Sequence, residues 1–134
     1  MKRGLTVLSM SALVMILAGT GLSAQALRAV ERITIDELKS LMAAKDVVVV
    51  DVRDAPSFAL GRIPGAINID FVDILGQAER FAHEKRTIVT YCACANEMTA
   101  AWAAVDLAAR GVAGVKALKG GWDRWVGRKE AVER

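Results

Sequence analysis

Apolar residues follow two regimes along the chain. From Gly4 to Leu27 they run almost unbroken, with no charged residue, and from Ile33 onward short β-branched runs alternate with longer stretches of helical period. The second regime is the pattern of βαβ units on a parallel sheet. Ile33 opens a short strand, and Thr34-Ile35-Asp36-Glu37 reads as a capping box that starts a helix over 36–44, with Leu38, Leu41 and Met42 on one face. Val47 to Val50 shows no polar alternation, so it is a strand buried on both faces and belongs in the middle of the sheet. Ile63-Pro64-Gly65 predicts a turn, 66–69 a short strand, 74–84 a helix ending near His83, and 87–91 the next strand. After the loop Cys92 to Asn96, a helix over 97–110 is expected, with Asn96 as N-cap, Glu97 in its first turn and Gly111 at its end. Its apolar stripe reads Met98, Ala101, Trp102, Val105 and Ala109. Val115 to Leu118 is a last strand, and Gly120-Gly121 with Trp122 to Val126 closes the domain as a turn and short helix.

The first regime changes how much of the chain is domain. Lys2-Arg3 ahead of Leu5 to Ala18, with Ala24-Gln25-Ala26 behind, has the basic start, apolar middle and small-x-small end of a secretory signal. A helix through the 24 uncharged residues would reach roughly 36 Å, enough to cross a bilayer. Gly19-Thr20-Gly21 weakens such a helix at its outer end, which favours cleavage after Ala26 over an N-terminal anchor. The expectation is therefore a signal peptide over 1–26 and one domain over 27–134, exported and periplasmic. A membrane is a partner only if the N-terminal segment stays uncleaved, anchored in the inner membrane.

Charge then drops out as a clue. The 134 residues hold 18 Lys+Arg against 15 Asp+Glu, and removing the first 26 takes two bases and no acid, leaving 108 residues at a net charge of +1. A near-neutral domain without a basic cluster interleaved with aromatics excludes nucleic acid as a partner. A chain of that length buries roughly two-thirds of its unfolded surface, enough for one core without metal or staples, and a monomer is the expected form.

The candidate chemistry lies in Cys92-Ala93-Cys94-Ala95-Asn96, at the carboxyl end of a strand and the start of a helix. Function in open parallel sheets gathers in such loops. Backbone N–H groups and the helix dipole there favour negative charge, so a Cys92 thiolate, and equally a persulfide anion R–S–S⁻, is stabilised. A lone cysteine in this place reads first as a small buried hydrophobe. The strand-loop-helix setting and the single further cysteine, Cys94, tip the reading toward chemistry. A Cys92–Cys94 disulfide would close so small a ring that chain entropy supplies only about 1.5 kcal/mol, which suits a redox or relay element better than a staple. His83 is the one histidine, and it precedes the strand that Cys92 follows, so a Cys-His dyad is excluded and no four-ligand zinc set exists.

Taken together these residues resemble the rhodanese-like domain family, from Ile33 to Val126. Val47 to Arg53 resembles its Asp-Val-Arg strand, with Asp51 and Arg53 in the motif. Phe58 to Ile69 resembles its aromatic-x-x-Gly-His-Ile-Pro-Gly-Ala-x-Asn-Ile run. Ile88 to Cys92 matches the strand into the catalytic cysteine, and Gly120-Gly121-Trp122 through Trp125 the closing Gly-Gly-x-x-x-Trp. The resemblance implies an α/β fold with a five-stranded, mainly parallel sheet flanked by helices. It implies a sulfurtransferase in which Cys92 takes sulfane sulfur as a persulfide and passes it to a thiol or other nucleophile. Ala93, Cys94, Ala95, Asn96, Glu97 and Met98 would form the surrounding loop, and Asp51, Arg53 and Arg62 would support it. No metal or cofactor is called for; the partners are small-molecule or protein persulfide and thiol donors and acceptors.

Departures from the family pattern bear on the substrate. Members that use thiosulfate commonly carry Arg or Lys in the loop, and the position often held by Arg is Glu97, a weak setting for a dianion. Arg62 replaces the usual His. Phosphatase and arsenate-reductase relatives need Cys-x5-Arg to hold the oxyanion, and Met98 stands there, which excludes that chemistry. Two other readings differ in class: a Cys92/Cys94 thiol-disulfide or sulfur-relay protein, and a non-catalytic rhodanese-like binding module.

Overall fold

The structure, a computed structural model, describes Gly21 and residues 23–134. Most of the expected export segment lies outside the described residues; residues 23–29 are helical. Among the described residues no helix is long and apolar enough to cross a membrane.

In chain order the elements are β1 (Arg32–Ile33), α1 (Ile35–Ala43), β2 (Val47–Asp51), α2 (Ala55–Leu60), β3 (Ile67–Asn68), a 3-10 segment (Phe71–Phe81), β4 (Thr87–Tyr91), α3 (Met98–Ala109), β5 (Val115–Leu118) and α4 (Gly121–Gly127). The five strands form one sheet in the order β1-β5-β4-β2-β3. Every neighbouring pair is parallel. The two longest strands, β2 and β4, pair through their whole length from Val47 against Thr87 to Asp51 against Tyr91. Both lie inside the sheet, with layers on both faces, as the unbroken Val47 to Val50 run of β2 requires.

Strand periodicity sorts β4 between two cores. Ile88 and Cys92 pack on one face with Val50, Ile74, Phe81, Ala100, Ala103 and Leu107. Val89 and Tyr91 pack on the other with Ile35, Leu38, Ile63, Leu118 and Trp125. The capping box forms as read: Thr34 accepts from the Glu37 N–H, and the Glu37 carboxylate accepts from the Thr34 N–H at 2.6 Å.

Three local expectations are corrected. The segment read as an α-helix over 74–84 is 3-10 from Phe71 to Phe81, started by Asp70, whose carboxylate accepts from Val72 N–H. Ile74, Ala78 and Phe81 still bury one face, so the apolar pattern fixed the face and not the pitch. α2 was not foreseen; its six residues are too few to show a period, although Asp54 caps it by accepting from Ser57 N–H at 2.7 Å and Pro56 suits its first turn. In α3 the buried face is Ala100, Ala101, Ala103, Ala104 and Leu107, with Met98 and Ala109 exposed. Alanines let this helix lie close on the sheet, and the larger Trp102 and Val105 are left at its half-buried flanks.

Candidate active site

β4 ends at Tyr91 and delivers Cys92 to the carboxyl edge of the sheet, on the face that α3 covers. The residue is only 4% exposed. Its loop turns at once: Glu97 N–H donates to the Cys94 carbonyl at 3.0 Å, with the exposed Ala95 and Asn96 at the bend. Thr90 holds the helix side of this turn, its hydroxyl donating to the carbonyl of Ala100 at 2.8 Å. Cys92 and Cys94 are joined as a disulfide.

Helix α3 begins one residue later than expected, and Asn96 is not its cap. Glu97 takes that place in the left-handed region, with φ 47°, and gives α3 no side-chain cap. A non-glycine residue there costs about 1–3 kcal/mol. The carboxylate is spent on two other donors: Arg32 Nε at 3.1 Å and the Gly120 N–H at 3.0 Å. Arg32 in turn donates to the carbonyl of Val30 at 2.9 Å. The one charged side chain of the loop is thereby neutralised and turned toward β1 and β5, leaving Ala93, Cys94, Ala95 and Asn96 as an uncharged outer face. Arg32 lies 65 residues from Glu97, and no local motif in the sequence marks it.

The turn after β5 forms the other wall. Gly120 and Gly121 have φ of 72° and 48°, and a Cβ on Gly121 would collide with the carbonyl oxygen of Cys92. The same oxygen accepts from Trp122 N–H at 2.8 Å. The glycine doublet was visible in the sequence, and its reason is this close approach.

Asp51 and Arg53 lie together on the opposite face of the sheet. Asp51 has no exposed surface; its carboxylate takes Arg53 Nε and Nη2 at 2.9 and 2.5 Å, and Arg53 Nη2 also donates to the Gly61 carbonyl at 2.7 Å. The guanidinium sits over Trp122, 4.4 Å from its ring centre, and at 5.6 Å from that of Tyr91. Burial opposes the Arg53 charge, but the hydrogen bond and charge of Asp51 outweigh it and hold the pKa above its ordinary value. Burial, reinforced by Asp51, likewise pushes the Tyr91 hydroxyl up, so Tyr91 stays neutral. The pair is linked to Cys92 by way of Tyr91, the residue before it, and Trp122, whose N–H donates to the Cys92 carbonyl. Arg62 is farther from the loop in connection: it stacks on Phe58 and pairs with Glu133, whose second oxygen accepts from Gly65 N–H at 2.8 Å. Arg62 therefore staples the C-terminal end to the Ile63-Pro64-Gly65 turn. Met98 is 37% exposed at the start of α3. His83 is exposed before β4, at the strand end remote from Cys92.

A family model described as rhodanese-like domain matches residues 34–128. Thiosulfate sulfurtransferase GlpE of Pseudomonas fluorescens is 36% identical over 78 residues, covering 58% of this chain and 69% of that protein. Thiosulfate sulfurtransferase GlpE of Shewanella oneidensis is 31% identical over 98 residues, covering 71% of this chain and 91% of that protein. Among solved structures, the human single domain sulfurtransferase TSTD1 is similar in fold, with a TM-score of 0.63 at 24% identity over 77% of this chain and 100% of that one.

Proposed function

The chain belongs to the rhodanese-like domain family, and from that premise we propose that it is a sulfurtransferase that carries sulfane sulfur as a persulfide on Cys92. The observation that carries this reading is the placement of Cys92: at the carboxyl end of the central strand, beneath the start of α3, in a loop held at the Cys92 carbonyl by the Trp122 N–H, at the Glu97 carboxylate by the Gly120 N–H, and next to a helix start that Thr90 fixes through the Ala100 carbonyl. A clamped loop holds the sulfur in one position for attack and departure, which is the entropic part of catalysis. Transfer is a displacement at sulfur. The Cys92 thiolate attacks the sulfane sulfur of the donor, the donor's remainder leaves with the bonding pair, and the acceptor nucleophile later attacks the outer sulfur and returns Cys92 as thiolate.

The uncharged outer face of the loop favours a donor of low charge, such as a thiol persulfide, over a dianion. Thiosulfate would find no cation in the loop itself, since its one charged side chain is the acidic Glu97, and the Arg32 guanidinium beside it is paired with that carboxylate. The test is transfer of sulfane sulfur from inorganic polysulfide to cyanide, read as thiocyanate, by the reduced full chain. Turnover is expected for the native chain and absent for Cys92→Ser; equal rates in both would overturn the reading.

The Cys92–Cys94 disulfide favours a second reading, thiol-disulfide exchange with a partner protein in an oxidising compartment. A chain whose two thiols remain free across all accessible redox potentials would exclude it.

A further inference from the structure

We propose that the oxidised form of the loop accepts hydrosulfide, so that sulfide itself charges the domain through the Cys92–Cys94 disulfide. This rests on the reading of Cys92 as the sulfur carrier and adds a substrate class and a role for Cys94.

The two cysteines of the disulfide are differently placed. Cys92 is 4% exposed and packed among core residues, whereas Cys94 is half-buried between the exposed Ala93 and Ala95. A nucleophile arriving from solvent meets Cys94 first, with Cys92 as the leaving group. Small neighbours leave room for a nucleophile of one heavy atom. The carboxylate that would repel an anion there, Glu97, is held by Arg32 and the Gly120 N–H. Electrostatic and steric access both select a small monoanion.

The chemistry balances within the loop. Hydrosulfide forms a new S–S bond to Cys94 Sγ while the Cys94–Cys92 bond breaks, its pair leaving on Cys92. The sulfide sulfur is oxidised and Cys92 is reduced to thiolate; the proton of hydrosulfide passes to solvent. Products are a Cys94 persulfide and a Cys92 thiolate two residues away. That thiolate then attacks the outer sulfur, Cys94 leaves as thiolate, and the persulfide stands on Cys92. Once an acceptor takes the outer sulfur the pair is a dithiol, and exchange with a disulfide R–S–S–R restores the bond while releasing two R–SH. Sulfide would thus enter as a reduced substrate and leave as sulfane sulfur, with an external disulfide as the oxidant.

The experiment treats the oxidised and the reduced full chain with sodium sulfide, alkylates free thiols and weighs the intact protein. The oxidised native chain should gain one sulfur and two alkyl groups, one on the freed thiol and one on the persulfide, whereas the reduced chain should gain two alkyl groups and no sulfur. Cys94→Ser should lose uptake from sulfide completely while still taking sulfur from polysulfide. Oxidised chain that returns as an unmodified disulfide or as a bare dithiol overturns the proposal, as does sulfide uptake by Cys94→Ser equal to that of the native chain. A reduced native chain that takes no sulfur from polysulfide overturns instead the sulfurtransferase reading, so the two failures are distinct.

Discussion

The carbonyl of Cys92 and the α-carbon of Gly121 approach so closely that no side chain fits between them. Gly121 also holds a φ of 48° that L-residues adopt at a cost. Gly121→Ala is therefore expected to push the Cys92 loop from its position and to lose about 1–3 kcal/mol of stability. Urea unfolding reads the stability, and the sulfane-transfer rate at a temperature where the variant remains folded reads the displacement. A variant equal to the native chain in both would show that the contact does not set the loop.

The Glu97 carboxylate holds the loop to β1 and β5 through Arg32 and Gly120. Both side chains of the ion pair are mostly buried, at 24% and 14% exposure, so the pair should count for more than a surface bridge. A double-mutant cycle with Arg32→Ala and Glu97→Ala is expected to give a coupling of about 1–2 kcal/mol. A coupling near zero would mean that Arg32 does not help hold the left-handed Glu97, which then rests on the Gly120 N–H and the backbone.

Asp51 is wholly buried, and Arg53 is its cationic partner. Arg53→Met strands the carboxylate and is expected to cost about 3–5 kcal/mol. Asp51→Asn combined with Arg53→Met should be less destabilised than Arg53→Met alone, because an amide is less costly to bury than an unpaired carboxylate. Simple addition of the two losses in urea titrations would contradict this.

Acid should destabilise the fold through identifiable carboxylates. The Gly65 N–H and Arg62 hold Glu133 below its ordinary pKa, Thr34 does so for Glu37, and Arg128 for Asp36. Arg86 lowers Glu84 from 4.5 to about 2. A group whose folded pKa is depressed contributes stability above its unfolded value and loses it as pH falls through the folded one. Asp106, raised by burial against the opposing charge of Arg110, acts in the other direction. The balance predicts a urea midpoint that declines as pH falls from 4.5 toward 2, and less steeply in high salt, since these carboxylates are exposed to screening. A flat profile would contradict it.

What the sequence revealed followed the range of the interactions. The unbroken Val47 to Val50 run placed β2 inside the sheet, and the Thr34/Glu37 box was legible because its partners are neighbours. The glycine doublet marked a turn, although not that the turn lies against the Cys92 carbonyl. Arg32 was invisible because its partner lies 65 residues away. Asn96 looked like a better cap than Glu97 by residue type; the Glu97 N–H instead closes a turn on Cys94, and the Arg32 and Gly120 contacts outweigh the backbone cost. The stripe read in α3 favoured large apolar residues, whereas packing against the sheet selected the alanines between them.

Carriage of sulfur on Cys92 is read from the intact mass of the reduced full chain after exposure to inorganic polysulfide, in the native protein, Cys92→Ser and Cys94→Ser. One added sulfur, removable by a thiol reductant, is expected in the native chain and in Cys94→Ser, and none in Cys92→Ser. An equal adduct on Cys92→Ser, or no adduct on the native chain, would contradict it.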